Sequence, residues 1–167
     1  MNLASQLKAA RRVSVPIIAI STPDPAQTIR MATAAINGES PVLVWDLANG
    51  LTGLNDAGKQ AASEVDAAGT TGSPVEVFMQ CQKLKPKSIV FAHMASRFLN
   101  DVSVLQSLWN LRDPFKTTGR MVILLGASFE LPPELHNDVL LLDEPLPTPD
   151  ELRVIVDETT AAADLDC

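Results

Sequence analysis

The sequence contains no tyrosine, and aromatic residues make up only 4% of it. A core built from this chain must therefore be aliphatic. Cysteine is scarce as well: Cys81 and Cys167 lie far apart and form no metal-binding spacing. They offer no disulfide framework, and a bridge between them is not expected in a cytosolic chain. No run approaches the roughly 20 apolar residues that a membrane-spanning helix needs. Met1 to Leu7 lack the apolar block of a secretory leader, so the expected location is cytoplasmic, with no membrane partner. Blocks of positive charge are missing too. The formal charge is -7, and the one basic cluster, Lys8, Arg11 and Arg12, reads as a solvated helix face. Binding to double-helical nucleic acid relies on basic surface, so nucleic acid is not an expected partner.

What is present fits a single domain, because 167 residues can bury a substantial core without staples. Five apolar runs alternate with helical patterns: Val15 to Ile20, Pro41 to Leu47, Ser88 to Met94, Met121 to Ala127 and Val139 to Asp143. Three helix starts share one chemistry. Asp24-Pro25-Ala26-Gln27, Ser73-Pro74-Val75-Glu76 and Thr148-Pro149-Asp150-Glu151 each set a capping side chain, then proline, then an amide or acid at the third helical position. Helices are predicted over 25–36, closed by Asn37-Gly38, and over 74–84. A third starts at Pro149, with Leu152, Ile155 and Val156 facing inward. A leading helix ends near Arg12 and turns Leu3, Leu7 and Ala10 inward, and another spans Asp101 to Asp113. Residues 49–72 carry Gly50, Gly53, Gly58, Gly69 and Gly72 among small polar side chains, so a flexible excursion is expected there, with a short helix over 55–65. The small, acidic tail from Thr160 to Cys167 is expected to fray. Together these features predict a three-layer α/β domain with a mainly parallel, five-stranded sheet.

Ligands of such sheets bind at the carboxyl ends of the strands. After the first run a phosphate loop would read G-x-x-x-x-G-K-[ST]. The segment Ser21 to Thr28 keeps only Thr28 of that pattern. Both glycines are missing, Gln27 stands in place of lysine, and Pro23 and Pro25 have no N–H for a phosphate. A helix start still favours an anion, but the side chain of Asp24 is expected to take that place itself. Thr22, Gln27 and Thr28 are the residues that would touch ATP and Mg2+ if an atypical site existed here. Elsewhere the strand ends carry Asp46 with Asn49, His93, Ser128, and Asp143-Glu144 beside Pro145 and Pro147. Ser21, Ser128, His93 and Asp46 lack the turn that a nucleophilic serine requires. The pair Asp46 and His93 leaves room for a small-molecule or phospho-signal site. No catalytic residue and no metal ligand is assigned.

Four stretches carry a resemblance: Val15 to Thr22; Val44-Trp45-Asp46-Leu47-Ala48-Asn49-Gly50-Leu51; Phe98-Leu99-Asn100-Asp101 with its helix through Asp113; and Leu124-Leu125-Gly126 with Leu131-Pro132-Pro133-Glu134-Leu135 and Leu142 to Pro147. In this order they resemble the N-terminal, non-hydrolysing domain of bacterial, phage and plastid-encoded AAA-type ATPases, from Leu3 to Val156. The resemblance implies a P-loop-NTPase-like core without a working phosphate loop. In that family a complete AAA module follows, and this sequence stops at Cys167 before one, so a fragment or a stand-alone relative is expected. Met94 sits near where a magnesium acid would be, and Phe129 near where a polar sensor would be. The implied function is a non-catalytic module that supports or regulates an ATPase machine through protein contacts, with AAA subunits or itself as partner. The helix 101–113 and the glycine-rich excursion are the candidate contact surfaces. Arg112 or Arg120 could reach a neighbour's phosphate, a surface ion pair being the plainer reading. The alternative is a AAA-type domain that binds and hydrolyses ATP through the Ser21 to Thr28 segment.

Overall fold

The computed structural model describes residues 2–36 and 38–163. Asn37 of the expected helix stop, and the end of the acidic tail with Cys167, lie outside the described residues. The first half of the chain runs α1 (Leu3–Arg12), β1 (Ile17–Ser21), α2 (Pro25–Ala35), β2 (Val42–Asp46), β3 (Gly50–Gly53), α3 (Asp56–Ser63) and α4 (Pro74–Cys81). The second half adds β4 (Ile89–Ala92), α5 (Val102–Trp109), α6 (Arg112–Thr118), β5 (Met121–Gly126), β6 (Leu140–Asp143) and α7 (Pro149–Ala162). All three expected N-caps are made: Asp24, Ser73 and Thr148 accept from the amides of Gln27, Glu76 and Glu151. At α7 the Glu151 side chain answers to the Thr148 amide, closing a full capping box.

The strands form one sheet in the order β3-β2-β4-β5-β1-β6. Every pair is parallel except β2 with β3. Side chains alternate across the sheet, as strand geometry requires. Ile17, Ala19, Leu43, Trp45, Val90, Ala92, Val122 and Leu124 pack under α3 to α6, with Phe78, Leu108 and Phe115 among their partners. Ile18, Ile20, Ile89, Phe91, Ile123 and Leu125 face the other way, against Leu3 and Leu7 of α1 and Ala32 of α2. Both faces are covered, so β4 and β5 read as unbroken apolar runs.

The sheet has six strands, one more than the five expected. The added strand is β3, inside the segment read as an excursion. Asp46 turns the chain there: its carboxylate accepts from the amides of Ala48 (2.9 Å) and Asn49 (2.8 Å), returning β3 antiparallel along β2. Trp45 donates from Nε1 to the Thr70 carbonyl at 3.0 Å, and the Leu51 amide donates to Thr70 Oγ1 at 2.9 Å. The glycines serve contact: a Cβ on Gly53 would stand 2.1 Å from the Lys59 nitrogen, and one on Gly58 would stand 2.0 Å from the Val42 carbonyl oxygen. The expected short helix is α3.

Two helical expectations change. Asp101 to Asp113 is not one helix but α5 and the start of α6, broken at Asn110-Leu111. Pro114 explains the break, since a proline inside a continuous helix loses a hydrogen bond and clashes with the carbonyl four residues back. Within the first turn of α6 it is tolerated. α7 is the second correction. Leu152, Ile155 and Val156, expected to face inward, are 47%, 51% and 59% exposed, and no residue of α7 is buried. Its helix includes Thr160 to Ala162, the first part of the tail expected to fray.

Candidate functional site

The carboxyl end of β1 is where an open parallel sheet would hold a ligand. β1 lies between β5 and β6, and ladder bonds continue past its end: the Thr22 amide donates to the Gly126 carbonyl and the Glu144 amide to the Ser21 carbonyl, both at 2.9 Å. Thr22 shares its side of the sheet with Ile18 and Ile20, and Glu144 shares its side with Leu142, so both side chains point towards α2. There they meet Thr28 from the first turn of that helix.

Thr22 and Thr28 are buried, with their hydroxyl oxygens 2.7 Å apart. Both hydroxyls lie within hydrogen-bond distance of the Glu144 carboxylate. Thr22 Oγ1 also accepts from the Asp24 amide at 3.0 Å. The amides at the helix start are largely committed. Pro25 has none, that of Gln27 donates to the Asp24 carboxylate at 3.1 Å, and that of Thr28 donates to the Asp24 carbonyl at 3.0 Å. The electropositive end of α2 thus meets two carboxylates of its own chain. Of the three residues marked as nucleotide contacts, Thr22 and Thr28 are brought together. Gln27 is not: it is exposed, and its Oε1 accepts from Arg30 at 2.8 and 3.2 Å along the helix.

The donor set does not fit a nucleotide triphosphate with its magnesium. A third anion placed here would meet the Glu144 and Asp24 carboxylates, and among the described residues no lysine or arginine pairs with either. Among the described residues no three of His, Cys, Asp and Glu come together as a metal-binding group.

The other strand ends carry local roles. Asp46 is engaged by the Asn49 side chain (3.0 Å) and the turn amides, and these bonds hold its carboxyl below the ordinary range, with the nearby charge of His93 adding a little. Met94 follows β4 in a left-handed backbone conformation (φ 53°) and is exposed. Neither arginine considered for a neighbour's phosphate is free to serve. Arg120 is buried, its guanidinium given to main-chain carbonyls at the end of α4. Arg112 stacks 3.6 Å from the Trp109 ring centroid and pairs with Asp138 at 3.6 Å.

Sequence reading missed the part played by Glu144, because the contact joins positions 122 and 116 residues apart. A signal existed in strand parity: an inward Leu142 puts Glu144 on the same face.

Comparison with known proteins follows the geometry. The family described as SpoVK-like AAA ATPase, N-terminal domain, matches residues 3–144. No curated protein matches the chain. Two solved structures of RuvB variants from Thermotoga maritima are similar, at 14% identity and TM-scores of 0.57 and 0.60. They align with 98% and 99% of this chain but with 50% of their own, so the chain spans half the length of those structures. At that identity the likeness speaks for the fold. Among the described residues no helix is long and apolar enough to cross a membrane. The family match covers most of the chain, and on it the chain belongs to the N-terminal domain family of SpoVK-like AAA ATPases.

Proposed function

We propose that this chain is a non-catalytic, ATPase-like module that supports or regulates a AAA-type machine through protein contacts. The observation that carries the reading is the Glu144 carboxylate, set against Thr22 and Thr28 at the start of α2 where an anionic ligand would rest. Coulomb repulsion opposes a triphosphate at that place, and the prolines of the loop withhold amide donors. The family's description as a domain N-terminal to a AAA ATPase agrees with a supporting role. AAA subunits or further copies of the chain are the partners this reading implies.

Isothermal titration with ATP and magnesium separates this from an ATP-binding domain using Thr22, Gln27 and Thr28. No heat of binding is expected up to millimolar nucleotide. A dissociation constant below about 100 μM, or about -5.5 kcal/mol, would overturn the reading. The engagement of Asp46 in its own turn supports a structural role for it over a signalling one.

A further inference from the structure

The sheet order sets β4, β5 and β1 side by side, so the three segments that enter them lie together at the amino edge. Hydrogen bonds join those segments directly. The Lys87 amide donates to the Thr118 carbonyl at 3.1 Å, and the Arg11 guanidinium donates to the carbonyls of Lys87 (2.6 Å) and Gly119. Residues 8–16, 82–88 and 114–120 make up this surface. They hold eight of the thirteen lysines and arginines of the chain and none of its twenty acids.

Three of the eight are committed within the fold. Arg11 and Arg120 give their guanidinium groups chiefly to main-chain carbonyls, and Lys85 pairs with Glu64 at 3.1 Å. The other five, Lys8, Arg12, Lys83, Lys87 and Lys116, are exposed and make no ion pair among the described residues. The bordering acids do not neutralise them. Asp113 and Asp138 are drawn to Arg112, at 3.9 and 3.6 Å, and Glu39 before β2 pairs with no cation among the described residues. Gathering five like charges on one edge costs Coulomb energy that no contact among the described residues offsets. An anion supplied from outside would offset it.

The surroundings select the kind of anion. Outside these segments five cations stand against all twenty acids. A nucleic acid duplex or an anionic membrane would meet that acidic surface as soon as it extended past the patch. Single-stranded nucleic acid is held by stacking on exposed aromatic rings, and Phe115, the one aromatic residue of the three segments, is buried. The patch is also small. Three strand ends about 4.8 Å apart span about 10 Å, close to the width of one α-helix with its side chains. Four of the five unpaired cations are lysines, flexible point charges that can follow carboxylates at irregular spacing. Val13, 67% exposed next to Arg12, adds an apolar contact.

We propose that this lysine-rich edge is the docking surface for an acidic segment of a partner protein. The inference deepens the protein-contact reading above and rests on it.

Amide chemical shifts of the full chain during titration with a short poly-L-glutamate test the surface. The titration is run near physiological ionic strength, where exposed charges more than about 8 Å apart are largely screened. Saturable shifts are expected in 82–88, 114–120 and the α1–β1 turn. Lys83→Glu with Lys116→Glu is expected to weaken binding about tenfold, with an unchanged unfolding midpoint. Lys83→Gln with Lys116→Gln is expected to weaken it less, in the same direction. Arg30→Glu with Lys59→Glu changes the net charge equally at a distance from the patch, and should alter binding less than about twofold. The proposal is overturned if no saturable shift appears, or if the distant variant loses as much affinity as Lys83→Glu with Lys116→Glu. It is overturned too if oligothymidylate of equal charge or vesicles of anionic lipid bind more tightly than polyglutamate. Shifts of the same amides on raising the protein concentration alone would make the occupant a second copy and likewise overturn it. None of these outcomes bears on Glu144, so the nucleotide titration decides the non-catalytic reading separately.

Discussion

At the scale of single residues, Arg120 is a cap built from a side chain. It donates to the carbonyls of Cys81 (3.2 Å), Gln82 (2.6 Å) and Leu84 (3.2 Å), where α4 leaves acceptors without helical partners, and lies 4.9 Å from the Phe115 ring centroid. Replacing it with methionine leaves buried carbonyls unpaired and should lower stability by about 3 kcal/mol in urea unfolding. Arg120→Lys should recover only part, because a point charge cannot reproduce the fork. Beside it, burial pushes the Cys81 thiol up to about 12, against a smaller opposing pull from Arg120. The raised folded value means this contribution is whole below the unfolded pKa, near 9.0, and is lost as pH rises towards about 12. Wild type should therefore lose about 1.4 kcal/mol per pH unit relative to Cys81→Ala within that window, read from paired denaturation curves. Glu144→Ala should cost about 1 to 2 kcal/mol, since it strips a charged acceptor from two buried hydroxyls, and Glu144→Gln should cost less. Pro23, Pro25 and Asp24 were legible as an obstacle to phosphate because they lie within one local motif. Glu144 was not legible as their ally, because only the β1–β6 pairing brings it there.

Among elements, the β2–β3 hairpin with α3 shows where sequence reading stops. Gly50 to Gly53 offers one large side chain, Leu51, so periodicity has nothing to register. The strand exists because Asp46 turns the chain, Thr70 ties it, and two glycines let α3 lie directly on the backbone. Gly58→Ala should cost about 3 kcal/mol or more by overpacking against Val42. In hydrogen exchange the β3 amides should lose protection while those of β5 keep it. α2 and the start of α4 were legible because capping and apolar spacing agree, and α1 from the spacing of Leu3, Leu7 and Ala10 alone. The split between α5 and α6 was written in Pro114, a local signal that the continuous apolar pattern masked. For α7, amphipathic spacing was read correctly as helix, but spacing does not name the surface that covers it.

For the whole molecule, a mainly parallel sheet with helices on both faces follows from five apolar runs and three capped helix starts, and the observed strand order bears that architecture out. The meeting of Thr22, Thr28 and Glu144 belongs to this scale, since it needs the β1–β6 pairing and the placement of α2 together. At the carboxyl edge of the sheet the Glu144 and Asp24 carboxylates stand together at the start of α2. The central claim concerns the start of α2, and amide chemical shifts of Thr22, Asp24 and Thr28 during titration with ATP and magnesium test it most directly. The account predicts no saturable shift at these positions up to millimolar nucleotide. A saturable shift centred on them, with half-saturation below about 100 μM, would contradict it.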